Sequence, residues 1–465
     1  MGQLQKRTLP WDMLPTIITL AWPTMLEQLM QTAVQYIDTA MVGTLGTQAT
    51  AAVGATTTVN WLVNSTISAV SIGFLAYISQ ACGAGQMQQA KKASAQAALT
   101  TIVLGIFFTV LTLGVSYYIP TWMQVDPGIR TTAAQYFFIL YAPMLFRTAT
   151  IIFGTVLRAV GDSKTPMKVG IWVNVINVVL NLLLIYPTGP VTVFGKTIML
   201  YGAGWGVLGA AAASAIAFTV GGIMLTVCYL RHKIISPLGM SLRPDMQVLR
   251  PCLKVAFPNC LQRFGTSLGY VVFASMINSL GEISTAAHTI ANTVESAFYI
   301  PGYGMQTAAA TLAGNAWGAK DRNRIQDLTR MILPIEVLLM VLSGGLLYIF
   351  APGMMTLFTK DQQVILLGTV VLRMVAVTEP FYGVSIIIEG MMQGMGKTMT
   401  PFAFNIAGMW GIRIVGTFIC TQLLSMDLVS AWACMIAHNL MLFAAFVYLC
   451  VSGKYIPKDK IKGVA

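Results

Sequence analysis

The sequence predicts an all-α integral membrane protein: twelve transmembrane helices arranged as two parallel six-helix repeats. Three observations carry that expectation. Hydrophobic residues make up 56% of the 465 positions, charged residues only 9%, and mean hydropathy is +0.72. A soluble chain of this length needs far more charge on its surface. The second half also repeats the first at one offset. Adding 235 carries Pro23 onto Pro258, Leu45-Gly46 onto Leu280-Gly281 and Ala51-Ala52 onto Ala286-Ala287. It also carries Gly83-Ala84 onto Gly318-Ala319, Gly161 onto Gly396 and Thr165-Pro166 onto Thr400-Pro401, with no gap across about 145 positions. Third, the basic residues are lopsided. Of 28 Lys and Arg, only Arg130, Lys196 and Lys360 fall on the outer side if the amino terminus is inside. Arg147, Arg263, Arg373 and Arg413 fall deep within spans, and the other 21 lie on the inner side or at the inner ends of spans. This is the positive-inside pattern, so the net charge of +12 reports topology and not nucleic-acid binding.

A helix needs roughly 20 apolar residues to cross the hydrocarbon core. Spans are read at 15–42, 52–80, 93–118, 133–157, 168–188 and 205–230 in the first half. In the second half they are read at 251–279, 285–313, 329–351, 366–392, 401–424 and 428–450. All are expected to be helical, because lipid offers no partner for backbone polar groups. Six spans per repeat is an even number, so both halves enter from the same side, with lobes at 1–235 and 236–465. The inner loop near 231–250, with Arg, Lys, Pro and Asp, is the expected hinge between them. The start, MGQLQKRTLPWDML, lacks a secretory signal, and the charge bias is expected to set both termini of a multi-pass chain on the cytoplasmic side. The seven cysteines show no CxxC spacing and read as small apolar fillers.

Ionisable and amide side chains inside spans are costly, so they point to the working surface. In the first span, Glu27, Gln31 and Asp38 are spaced by four and seven and share a face, with Gln35 close by. They face a cavity or form a hydrogen-bonded seam between helices. In the fifth span, Asn177 and Asn181 share a face and Asn174 lies one turn before Asn177. Their carbonyls could complete a cation site begun by Asp38, or join helices. The eighth span aligns His288, Asn292 and Glu295, and the offset sets Glu295 on Asn60 of the second span. His288 reads as a proton relay or a packing residue. The tenth span holds Glu379 beside Pro380, where a bend is expected, and Glu389 near its inner end. Glu336 is read as starting the ninth span and meeting interfacial water. There is no Walker A run, HExxH, GxSxG or metal-type Cys/His cluster, so neither an enzyme nor ATP-driven transport is expected.

With those residues in view, positions 15–450 resemble the multidrug and toxic compound extrusion (MATE) family of secondary antiporters. The likeness rests on AWPTMLEQLMQTAVQYIDTAMVGTLG, SQACGAGQMQQAKKA and LRAVGDSKTPM in the first half. In the second half it rests on AAHTIAN, AGNAWGAKDRNR, GMMQGMGKTMTP and MWGIRI. The resemblance implies two six-helix lobes around a cleft open alternately to each side. It also implies export of bulky, often cationic, amphipathic compounds against inward flow of protons or sodium. Asp38 matches the first-span acid that the family uses for coupling, and Asn177 and Asn181 match the fifth-span positions beside it. Two places depart from the family's bacterial branches: Thr266 stands where one has a seventh-span acid, and Asn181 where another has a fifth-span acid.

The expected ion-coupling set is therefore Asp38, Asn177, Asn181, Gln31 and Glu27, with sodium possible at Asp38. Glu295, Glu379, Asn292 and His288 are expected to line the substrate cavity. No cofactor is expected beyond a coupling proton or sodium ion, and a monomer suffices because one chain holds both lobes. The alternatives are a lipid-linked oligosaccharide flippase, which Arg147, Arg263 and Arg373 would serve, and a membrane-embedded lipid transferase.

Overall fold

A computed structural model of the chain describes residues 11–122, 125–193 and 196–457. In the first half α1 (Leu14–Gly43), α2 (Thr47–Gly83) and α3 (Met87–Val115) are long single helices. The fourth span is a pair, α4 (Arg130–Tyr141) and α5 (Met144–Ala159), bent by 48°. Then come α6 (Lys164–Ile185) and α7 (Gly206–Leu230). The second half runs α8 (Met246–Asn278), the pair α9 (Glu282–Phe298) and α10 (Ile300–Gly318), α11 (Arg322–Phe358) and α12 (Gln362–Gly394). It closes with α13 (Met399–Leu423) and α14 (Leu428–Val451). Each of the twelve expected spans is thus a helix or a broken helix, in two repeats of six.

The breaks fall where proline forces them. Pro143 precedes α5, and Pro301 sits in the first turn of α10, where its missing N–H costs nothing. The bend expected at Pro380 is not a break: α12 runs through it as one helix.

Eight helices, and the α4–α5 pair as a ninth, are long and apolar enough to cross a membrane among the described residues. The three spans that miss that mark are α1, α8 and the α9–α10 pair. They are diluted by Glu27, Asp38, Arg263, His288 and Glu295, ionisable residues that are costly in lipid.

The duplication is visible in the backbone. Gly46 and Gly281, 235 apart, both take φ of +107° at the turn between the first and second helix of each repeat. Gly161 (+91°) and Gly396 (+81°) repeat it at the fourth-to-fifth turn. Gly85 (+72°) is matched by Lys320 (+60°), so one turn conserves its left-handed shape without its glycine. One element has no helical precedent in the sequence reading. Residues 187–203 form an antiparallel hairpin, β1 (Pro187–Val193) and β2 (Lys196–Ala203), pairing Val191 with Ile198. Its β-branched Val191, Thr192, Val193, Thr197 and Ile198 are too few for a span and suit a ladder.

Two compact units emerge. One contains residues 26–74 and 91–249, the other 1–25, 75–90 and 250–465. In the second unit Ile17, Leu20 and Ala21 of α1 join a core with Met305, Leu312, Ile332, Ile387 and Phe446. Gln80 of α2 donates to the Gly394 carbonyl at 3.1 Å, and Gly83 lies so close to the Asn315 backbone that any side chain would collide.

The 231–245 segment is stapled to α3. The Ser94 hydroxyl bonds the Ile235 carbonyl at 2.6 Å and shares a 2.6 Å contact with the Tyr229 hydroxyl. The Gln96 amide donates to the Arg243 carbonyl at 2.9 Å and accepts from the Asp245 N–H at 3.1 Å. Removing a buried partner of this kind costs about 1–3 kcal/mol. Gln96→Ala is expected to lower the melting temperature in detergent and expose 231–245 to protease nicking. Within the same segment burial pulls the His232 imidazole below its usual range, an effect the Asp162 carboxylate 3.9 Å away offsets in part. Folding thus disfavours its protonation, so His232 costs stability as pH falls below the ordinary histidine range. In a pH series of melting temperatures, His232→Gln is expected to flatten that acid-side decline.

Candidate functional site

Two polar centres stand inside the helices, one in each unit. In the first, α1 presents Asp38, half-buried, to α6. The Asn181 Nδ2 donates to Asp38 Oδ1 at 2.5 Å. With the Asn177 nitrogen turned toward α1, its N–H groups reach Asp38 Oδ1 at 2.9 Å and Oδ2 at 3.2 Å. Its carbonyl then accepts from the Ser214 hydroxyl of α7 at 3.0 Å. Asn177 and Asn181 lie one turn apart on α6 and are 6% and 1% exposed, so both amides are committed to this contact. Tyr136 of α4 lies within electrostatic reach of the same carboxylate. Neutral amides satisfy the carboxylate oxygens without cancelling the charge. The carboxylate thus keeps a charge that a small cation or a proton could neutralise. Asn174 is buried two turns from Asn181, and Gln31 and Gln35 are exposed.

Glu27, which the sequence grouped with Asp38, sits elsewhere. Eleven residues of helix separate them, about 16 Å at ~1.5 Å per residue. Glu27 is buried and paired with Arg158 at the end of α5, Oε2 to Nη2 at 2.6 Å. Gly170 of α6 leaves the room: a Cβ there would lie 3.3 Å from the Glu27 Cγ. Arg158 reads from sequence as an inner-loop charge, and nothing in its spacing pairs it with a residue 131 positions earlier.

In the second unit, Glu295 is buried and accepts from the Tyr299 hydroxyl one turn on. His288 packs edge-on between the Phe273 ring at 5.6 Å and the Trp432 ring at 5.9 Å, while Asn292 is exposed. Glu379 is fully buried on α12 with its carboxylate 3.3 Å from where a Cβ on Gly344 would stand.

Glu336 corrects the sequence reading. It is not interfacial: the Asp321 cap starts α11 at Arg322, so Glu336 lies some four turns inside, with no exposed surface. Gly302 and Gly383 flank its carboxyl, each leaving 3.0 Å between Oε1 and the position of a Cβ. Glu389, near the inner end of its span, is caged by three amides: Gln262 at 2.8 Å, Gln393 at 3.0 Å and Asn405 at 3.1 Å. Among the described residues, no three His, Cys, Asp or Glu side chains converge as metal ligands.

Against known proteins, the MatE family model matches the chain twice, over residues 23–183 and 258–419. A probable multidrug resistance protein NorM of Thermotoga maritima is 26% identical over 457 residues, covering 97% of this chain and 96% of the relative. The probable multidrug resistance protein YoeA of Bacillus subtilis is 25% identical over 421 residues, covering 88% and 87%. A crystal structure of a MATE protein in complex with MaL6 superposes with a TM-score of 0.86 at 20% identity, covering 96% and 97%.

The Glu27–Arg158 pair has the marks of a structural joint between α1, α5 and α6. Leaving either charge unpaired in a half-dry site costs on the order of 2–3 kcal/mol. Glu27→Ala and Arg158→Ala are each expected to lower thermal stability clearly. The double variant should lose less than the sum of the two, since it strands no charge.

Proposed function

The chain belongs to the multidrug and toxic compound extrusion (MATE) family, and on that premise we propose that it is a secondary active multidrug antiporter. It exports bulky, often cationic, amphipathic compounds in exchange for protons or sodium by alternating access. Relatives named as multidrug resistance proteins across most of the chain support the export reading. One observation supports the coupling: Asp38, inside a membrane helix, is held by two neutral amides and, among the described residues, is paired with no cation.

Neutralising Asp38 by an ion removes the charge that holds α6 against α1 and biases the balance between inward- and outward-facing states. Binding of substrate on one side and ion on the other then exchanges the two. Glu295 and Glu379 attract cationic substrates, and the Met and aromatic side chains around them supply an adaptable apolar wall. The basic inner side supports a bacterial cytoplasmic membrane with both termini inside, and one chain holding both lobes supports a monomer.

The flippase reading gains little from the arginines. Arg147 is buried over the Phe218 ring at 4.6 Å, and Arg373 bonds the Tyr348 carbonyl at 3.3 Å.

The test is efflux of ethidium from proteoliposomes with a proton gradient and a sodium gradient imposed separately. Asp38→Asn is expected to slow gradient-driven efflux at least tenfold under the coupling ion's gradient. Wild-type rates in that variant under both gradients would refute the coupling role.

A further inference from the structure

Duplication lets the two halves be compared position by position, and at the ion site they differ in a specific way. The offset of 235 places Phe273 of α8 where Asp38 stands in α1. On the partner helix the register slips by one. Ala407–Ile414 of α13 is wound as π-helix, which adds one residue to a turn. The family match agrees: its two copies begin 235 residues apart and end 236 apart. With that extra residue, Asn177 and Asn181 correspond to Arg413 and Thr417, which are 3% and 0% exposed.

Arg413 lies over Phe273 in the place from which the amides bond Asp38. Its guanidinium lies 5.1 Å from the Phe273 ring and 5.1 Å from the Tyr270 ring. Its Nε and Nη1 are buried without a hydrogen-bond partner, and no carboxylate pairs with it at contact distance among the described residues. The titratable groups within its field are Glu295, His288 and His438. The second half therefore has a fixed positive charge and an aromatic ring where the first half has a carboxylate free to take an ion.

We propose that Arg413 is a built-in cation that occupies, in the second half, the place at which the first half takes its coupling ion. Its charge acts on Glu295 without pairing with it, and the chain couples transport through the Asp38 site alone. A guanidinium suits this role because it keeps its charge at any physiological pH and stacks on rings without needing a carboxylate. The inference rests on the reading of Asp38 as the ion site.

Coupling stoichiometry tests it. In proteoliposomes the ion gradient that just balances a set ethidium gradient gives the number of ions exchanged per ethidium. Arg413→Gln is expected to gain one ion per ethidium over wild type, because Glu295 must then recruit its cation from solution. Arg413→Lys keeps the wild-type ratio. An Arg413→Gln protein that transports at the wild-type ratio overturns the proposal, since a merely structural arginine alters rate and not ratio. Were the glutamine variant unable to fold, Arg413→His read across pH replaces it: the extra ion must appear only where the imidazole is neutral, and its absence there overturns the proposal equally. Failure of the underlying reading shows up separately, as coupling that survives in Asp38→Asn.

Discussion

A carboxylate inside a membrane helix must be given partners, and the choice of partner decides what it can do. Asp38 is met by the amides of Asn181 and Asn177. These satisfy its oxygens and leave its charge open to an ion. Glu27, three turns away on the same helix, is met by Arg158 and is closed to one. Glu389 is met by three amides, Glu295 by a tyrosine hydroxyl, and Glu336 and Glu379 by glycine-lined packing. A span can hold an acid as a joint or as a port, and the chemistry of the neighbour separates the two.

The duplicated scaffold makes that separation visible. Left-handed turns recur at Gly46 and Gly281, and at Gly161 and Gly396, so the frame has been kept in both halves. The polar contents have not. The position of Asp38 became Phe273, and a π turn in α13 brought Arg413 to the place of an asparagine. Turns tolerate little change because their backbone conformation admits few residues, whereas a buried side chain can be exchanged if its neighbour changes with it. One frame thus carries two unlike charge centres.

Much of this was legible in the sequence, for identifiable reasons. The spans, the repeat and the topology follow from hydropathy, offset matches and charge bias, all of which are local or one-dimensional signals. The Asp38–Asn177–Asn181 grouping was legible because each residue is costly in lipid and the two asparagines share a helical face. What lay hidden depends on three-dimensional register. The Glu27–Arg158 pair joins helices 131 residues apart. Glu336 was misplaced because apolar residues begin late in α11, while the helix itself starts at its Asp321 cap. The π turn that seats Arg413 leaves no mark in composition, and a strict offset points to Ile412 instead.

The central claim is that the Asp38 carboxyl changes its bonding when ion gives way to substrate. Infrared difference spectroscopy of the purified protein, with and without ethidium at a fixed concentration of the coupling ion, observes that group directly. A carboxyl band that shifts on ethidium addition, vanishes from the difference spectrum in Asp38→Asn and persists in Glu27→Gln is the predicted result. An unchanged difference spectrum in Asp38→Asn would place the exchange at another acid and contradict the account.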